Sequence, residues 1–181
     1  MGELPLGNPP QLETARLTLR QPDALDVDAI VANLNDMAVA GRLSHVPFPY
    51  GETDALFFIK VIIPKQMVWG IRPKTDDALI GVVGLHGSGN SLELGYWLGT
   101  AHWGHGIATE AAHAVCGFAF DGIGTPQIVS GYHADNPASG RVLAKLGFVQ
   151  THTAHFFSAA QQREIETVYV RLKAEKFPQS S

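Results

Sequence analysis

Cysteine is almost missing from this chain of 181 residues: Cys116 stands alone, so no internal disulfide can staple the fold. Its place in an apolar helix stripe marks it as a core thiol rather than a nucleophile. Long hydrophobic runs are missing too. The longest, Ala55–Pro64, is interrupted by Lys60 and is too short to span a bilayer. The first residues, Met1 to Leu6, carry neither a basic stretch nor a long apolar run, so no secretory signal is expected. Leu6 stands where myristoylation wants serine or threonine. A basic surplus is absent as well: 13 Lys and Arg against 17 Asp and Glu give a formal charge of −4. That balance argues against a nucleic-acid partner while permitting a ligand held by one local basic patch. The expectation is a soluble cytoplasmic protein with no membrane and no nucleic-acid partner.

Hydrophobic residues make up 45% of the chain and charged ones 17%, the balance of a globular protein. The length supplies one well-buried core and is too short for two ordinary domains. Residues 1–13 hold three prolines and little pattern, and are expected to be a loose lead-in. Arg16–Gln21 alternates, with Leu17 and Leu19 on one face, as a half-buried strand does. Asp26 can cap a helix whose stripe runs Val27, Ile30, Val31 and Leu34. Leu43–Glu52 is irregular and aromatic, after which Thr53 caps a second helix, Asp54–Ile63, stopped by Pro64. Its stripe of Phe57, Phe58 and Ile62 reads as core packing.

Met67–Ile71 and Leu79–His86 read as strands, and Gly87-Ser88-Gly89-Asn90 turns the chain into another, Ser91–Leu98. A helix follows from Ile107 to about Phe120, with Ala108, Ala111, Ala112, Val115 and Ala119 along one side. Gln127–Tyr132 is the next strand. Asn136 is a good N-cap, Pro137 suits the first helical position, and Gly147 can end that helix. Phe148–Phe157 and Ile165–Leu172 are final strands around the turn-prone Ser158–Arg163. Nothing repeats internally. The order β-α-α-β-β-β-α-β-α-β-β predicts a mixed sheet with helices on both faces.

The most informative stretch is Trp103-Gly104-His105-Gly106-Ile107-Ala108-Thr109-Glu110, set between the strand Leu92–Leu98 and a long helix. A helix start leaves up to four backbone N–H groups without partners, and the helix dipole adds partial positive charge there. Glycines let a ligand approach the main chain closely. A diphosphate fits that socket without any lysine. The bare G-x-G pattern is weak, since 19 glycines produce roughly two by chance. It appears at Gly87/Gly89, Gly104/Gly106 and Gly122/Gly124, and only the middle copy stands between a strand and a long helix. A Rossmann dinucleotide site wants a glycine where Thr109 stands, early in a βαβ unit. That reading fails at position 109 and in the flanking order.

Three blocks, in the right order and spacing, resemble the GNAT acetyltransferase superfamily, and its ribosomal-protein and protein N-terminal acetyltransferase branch in particular. Val46-Pro47-Phe48-Pro49-Tyr50 followed by Glu52–Ile59 resembles the acceptor-side loop and helix. Glu93-Leu94-Gly95-Tyr96-Trp97-Leu98 with Trp103–Ala112 resembles the cofactor strand and pyrophosphate loop. Asn136-Pro137-Ala138-Ser139, ending in Lys145-Leu146-Gly147-Phe148, resembles the last motif. The likeness extends over Leu12–Leu172. It implies a GNAT-like single domain of α/β (α+β) class, with a mixed, mostly antiparallel sheet and helices on both faces. The domain is expected over 14–173, with a tail over 174–181. Many members place a tyrosine, the acid for the departing thiolate, where this chain has Leu143, which leaves the acid's identity open.

The resemblance implies an acetyl-CoA-dependent N-acetyltransferase, with acetyl-CoA as co-substrate. Backbone N–H groups around Gly104, Gly106, Ala108 and Thr109 would hold the diphosphate, with Trp103, His105 and Ile107 in the same loop. The Trp97–Leu98 backbone would pair with the pantetheine arm by β-augmentation, Leu98 N–H serving as oxyanion donor. Asn136 and Ser139 would contact the cofactor, and Phe48, Tyr50, Glu93 and Tyr132 the acceptor. Glu93 is the first choice for proton acceptor, against the reading of a solvated strand residue. Ser139 is the leading candidate to protonate or hydrogen-bond the leaving sulfur, against a local first-turn bond to backbone. Asn136 serves equally as a plain N-cap.

His133 could relay protons, although a surface-loop histidine accounts for it more simply. His102/His105 and His152/His155 lack both helical spacing and a nearby acidic or thiol set, so no metal is expected. Trp69, Trp97 and Trp103 read as core or loop anchors, with Trp97 able to line a cleft. The acceptor, a protein N-terminus or an amine-bearing small molecule, is left open, its determinants expected in Arg42–Tyr50 and Ser158–Glu164. A lysine amine near pKa ~10.4 is neutral about one part in a thousand at neutral pH, whereas an α-amine near ~8 is closer to ready. A non-catalytic acyl-CoA-binding module is the alternative, motivated by Leu143. The final strands leave room for a homodimer.

Overall fold

The computed structural model describes residue 4, residues 6–88 and residues 90–178. Gly89, in the expected hairpin turn, lies outside them, as do parts of the lead-in and tail. The alternating apolar segments assemble into eight strands: β1 Leu12–Glu13, β2 Leu17–Arg20, β3 Met67–Pro73, β4 Gly81–Ser88, β5 Ser91–Leu98, β6 Gln127–His133, β7 Val149–Ser158 and β8 Arg163–Lys173. They form one sheet in the order β1-β2-β3-β4-β5-β6-β8-β7. Every neighbouring pair is antiparallel except β5 with β6.

The helices are α1 Val27–Leu34, α2 Met37–Ala40, α3 Glu52–Phe57, α4 Ile107–Gly117 and α5 Pro137–Lys145. Side chains alternate across a strand, so each face of the sheet needs its own cover. On one face α4 and α5 bury Ala111, Ala112, Val115, Cys116 and Leu143 against Leu17, Leu19, Trp69, Leu92 and Leu94. On the other, α1 and α3 pack Ile30, Leu34 and Ala55 with Tyr50, Leu79 and Trp97. The small residues of α4 let it lie close on the strands. Burial pushes the Cys116 thiol up to about 12, which makes it an inert core group.

Several local expectations are corrected. Asp26 holds the N-cap position of α1 but its side chain makes no capping bond there. Asp23 caps the short 3-10 turn Ala24–Asp26 that leads into the helix, its Oδ1 accepting from Leu25 N–H at 2.8 Å. Asp26 instead accepts from Asp23 N–H at 2.9 Å and from buried Arg72 at 2.6 Å. Thr53 lies inside α3, which starts after Gly51, whose N–H donates to Asp54 at 2.9 Å. The helix 107–120 closes as a wider turn over Phe118–Ile123. Phe57 is exposed and packs no core.

The lead-in is not wholly loose: Leu12 and Glu13 pair with Leu19 and Thr18, and Trp69 Nε1–H donates to the Pro10 carbonyl at 2.8 Å. Nor is the tail all outside, since Phe177 is buried against His113 and Phe120. A short edge strand and one aromatic anchor are too little pattern to stand out in the sequence. The final strands meet their expected ranges, with an irregularity between Gln150 and His152.

The Arg72–Asp26 ion pair ties β3 to the start of α1 with both side chains almost wholly out of water. Removing one partner leaves an uncompensated buried charge, which typically costs ~3–5 kcal/mol. Asp26→Ala is therefore expected to lose about that much in urea denaturation; a loss near zero would mean the pair does not secure this junction.

Candidate active site

β5 and β6 pair at just two positions, Leu92 with Ile128 and Glu93 with Val129. Beyond them β5 stays with β4 as far as Leu98, while β6 stays with β8 as far as His133. The two strands part like the arms of a fork. At its throat the buried Ser130 hydroxyl donates to the Leu94 carbonyl at 2.8 Å. Next comes Gly95, exposed, where a Cβ would meet nothing within 4 Å. A cavity of about 720 Å³ runs through this region, and its lining includes Glu93, Tyr96, Trp97, Ser139 and the glycine turn.

The glycine turn follows β5. Gly104 and Gly106 have φ of +81° and +74°, a region other residues adopt at a cost, so both positions require glycine. Gly106 is the N-cap of α4, and the first helical bond runs from Glu110 N–H to its carbonyl at 3.0 Å. The N–H groups of Ile107, Ala108 and Thr109 therefore precede the ladder and lie at the cavity wall. A Cβ at Gly104 would meet no atom within 4 Å, so the turn is open on that side. Trp103 braces the turn: its Nε1–H donates to the Leu98 carbonyl at 2.7 Å, and the Arg42 guanidinium lies 5.5 Å from its ring centre.

On the α4–α5 side, Tyr96 and Ser139 meet hydroxyl to hydroxyl at 2.7 Å, and the tyrosine also donates to the Ser139 carbonyl at 3.3 Å. Burial pushes the Tyr96 phenol up to about 12, the Ser139 hydrogen bond pulling the other way, so it stays neutral. Asn136 caps α5 by accepting from Ser139 N–H at 3.4 Å and also lines the cavity. Tyr132 lines it too, its ring within 3.0 Å of where a Cβ on Gly140 would sit.

Glu93, Gly95 and Trp97 point to the opposite face, with His86 directly across from Glu93. His86 Nε2 stands 3.3 Å from Glu93 Oε2. That hydrogen bond holds the Glu93 carboxyl below the usual range; partial burial opposes it, and His45 adds a smaller pull. Among the described residues Glu93 is the one acidic side chain lining the cavity. His133 ends β6 on the same face and is 2% exposed, which corrects its reading as a surface-loop residue. Burial keeps its imidazole below its ordinary pKa, hence neutral. The Gly41 carbonyl faces the ring without an aligned hydrogen bond.

Of the residues singled out from sequence, Tyr50, Glu93, Trp97, Leu98, Trp103, Gly104, Gly106, Ile107, Ala108, Thr109, Tyr132, Asn136 and Ser139 come together around one cavity. Two do not line it. Phe48 turns outward and is 38% exposed. His105 contributes its carbonyl to Arg16 at 3.0 Å instead. Leu143 is sealed in the core and offers the cavity nothing. His86, Tyr96 and Arg16 are the residues that sequence reasoning passed over. Among the described residues no group of three or more His, Cys, Asp or Glu could hold a metal ion, and no helix is long and apolar enough to cross a membrane.

The model of the acetyltransferase (GNAT) domain matches residues 16–149. This chain belongs to the GNAT acetyltransferase family. It is an acetyltransferase, in a family that uses acetyl-CoA. The uncharacterized N-acetyltransferase YoaA of Bacillus subtilis (strain 168) is 31% identical over 147 residues, 77% of this chain and 82% of that protein. Among solved structures, Mycobacterium smegmatis RimJ in complex with CoA-disulfide superposes with a TM-score of 0.80 at 19% identity, covering 96% of this chain and 92% of that one. The ribosomal-protein-S5-alanine acetyltransferase of Vibrio fischeri gives 0.76 at 17% identity, over 94% and 100% of the two chains. At those identities the likeness is one of fold, a single mixed domain with a mostly antiparallel sheet.

His86→Phe removes the donor that favours the Glu93 carboxylate, so the Glu93 pKa rises toward the ordinary carboxylate value. Carbon-13 NMR titration of the Glu93 carboxyl reads this directly; an unchanged midpoint in a folded variant would contradict the pairing. A depressed folded pKa stabilises above the unfolded carboxylate range and loses that contribution as pH falls through the folded pKa.

Proposed function

We propose that the protein moves an acetyl group from acetyl-CoA to a primary amine, by direct transfer in a ternary complex. The acceptor is a protein N-terminus or a small-molecule amine. The observation that carries the reading is the β5–β6 fork, with the glycine turn beyond one arm and the Glu93 carboxylate at its throat. Such an opening offers a strand edge to an extended arm and three helix-start N–H groups to a diphosphate. The CoA-disulfide bound by the RimJ of similar fold supports this, and the ribosomal-protein acetyltransferase of similar fold supports a protein acceptor.

Acetyl-CoA supplies the activated acetyl group. On this reading the backbone N–H groups of Gly104–Thr109, with Trp103 beside them, hold the diphosphate, and Trp97 and Leu98 align the pantetheine arm. Leu98 N–H faces the thioester oxygen, a donation typically worth ~3 kcal/mol of transition-state stabilisation. Glu93 accepts the amine proton as the C–N bond forms. Ser139, backed by the neutral Tyr96 phenol, gives a proton to the sulfur as the C–S bond breaks. These two hydroxyls stand in for the tyrosine absent at Leu143. Tyr50 and Tyr132 border the acceptor. A carboxylate held below its usual pKa is a weak base, which suits an α-amine near ~8 better than a lysine near ~10.4.

Incubation with acetyl-CoA and a panel of peptides with free α-amines and small amines, read by mass spectrometry, tests the proposal. Acetylated product is expected, and Glu93→Gln should lower kcat ~10²–10⁴-fold with acetyl-CoA affinity nearly kept. No product from any acceptor, with coenzyme A still bound, would favour a non-catalytic binding module. Full kcat in Glu93→Gln would remove Glu93 as the base.

A further inference from the structure

The glycine turn carries an electrostatic problem of its own. Glu110 sits in the first turn of α4, beside the N–H groups that would face a diphosphate. Bare, that carboxylate would repel the ligand. It is met by three donors from the chain just before β2: Thr14 Oγ1–H at 2.6 Å, Arg16 N–H at 2.9 Å and Arg16 Nε–H at 2.7 Å. The same guanidinium donates through Nη1 to the His105 carbonyl at 3.0 Å, inside the turn. Its Nη2 lies 3.6 Å from where a Cβ on Gly106 would sit and has no hydrogen-bond partner among the described residues. Burial opposes charge on Glu110, but the Thr14 and Arg16 hydrogen bonds outweigh it and keep the carboxyl ionised. Arg16 thus offsets the Glu110 charge beside the turn and pins the turn's backbone with the same side chain.

We propose that Arg16 is a positioning residue for the donor site, clamping Glu110 and the His105 carbonyl so that the glycine turn stays open and electropositive toward a diphosphate. This rests on the acetyl-CoA reading. It concerns the diphosphate end alone, because the clamp lies on the glycine turn and not on the β5 arm that would meet pantetheine.

Calorimetry with coenzyme A and with pantetheine, which lacks the phosphates, separates the possibilities. Arg16→Gln should weaken coenzyme A about tenfold, the scale of one uncompensated charge near an anion, and change pantetheine affinity less than twofold. Glu110→Gln keeps an acceptor for Thr14 and the Arg16 N–H but removes the charge. Alone it should bind coenzyme A at least as tightly as wild type. In the Arg16→Gln background it should restore affinity to within about threefold. A clamp that is merely structural would give the reverse, with Glu110→Gln weakening binding and the double variant weaker than either single one. That result, or unchanged coenzyme A affinity in folded Arg16→Gln, overturns the proposal. A wild-type chain that binds neither probe overturns the acetyl-CoA reading itself, and the clamp with it.

Discussion

Each arm of the β5–β6 fork is committed to a stronger partner. β5 follows the hairpin with β4 through eight registered pairs, and β6 follows β8 through seven. Two parallel pairs, Leu92 with Ile128 and Glu93 with Val129, hold the arms together, and beyond them the strands part. Edges within a sheet are normally paired or covered, because unpaired backbone invites another strand. Here the parted edge stays open to the cavity, and Gly95 keeps its throat free of side chains.

The two faces of the sheet present different side chains to the cavity. Alternation along β5 sends Glu93 and Trp97 toward α1–α3, and Leu94 and Tyr96 toward α4–α5. A carboxylate and its histidine therefore approach the fork from one side, and a pair of hydroxyls from the other. The carboxylate–histidine pair and the two hydroxyls thus line one cavity from opposite faces of the sheet.

The elements that carry most of the site were legible because their physics is local. Gly104, Gly106 and the start of α4 follow from a glycine turn between strand and helix, and Asn136 at the start of α5 from its capping chemistry. His86 was not within reach of the strand ranges alone: with the turn read as Gly87–Asn90 it would face Ser91, and the tighter turn that pairs Ser88 with Ser91 is what sets it opposite Glu93. Tyr96 needed the position of α5, and Arg16 reaches Glu110 across 94 residues, a separation that no local pattern encodes. The two helix starts share a local pattern that residue type alone did not reveal. At both helices an Asp three residues into the turn accepts from the backbone N–H that precedes it, Asp26 from Asp23 and Asp54 from Gly51, and buried Arg72 holds Asp26 further.

The central claim is that the fork between β5 and β6 receives the donor, and a crystal structure of the chain with coenzyme A tests it most directly. The pantetheine arm is expected alongside Trp97 and Leu98 between the two strands, with the diphosphate oxygens within hydrogen-bonding distance of the backbone N–H groups of Gly104–Thr109. Coenzyme A bound elsewhere, with the fork closed or filled by the protein's own side chains, would contradict it.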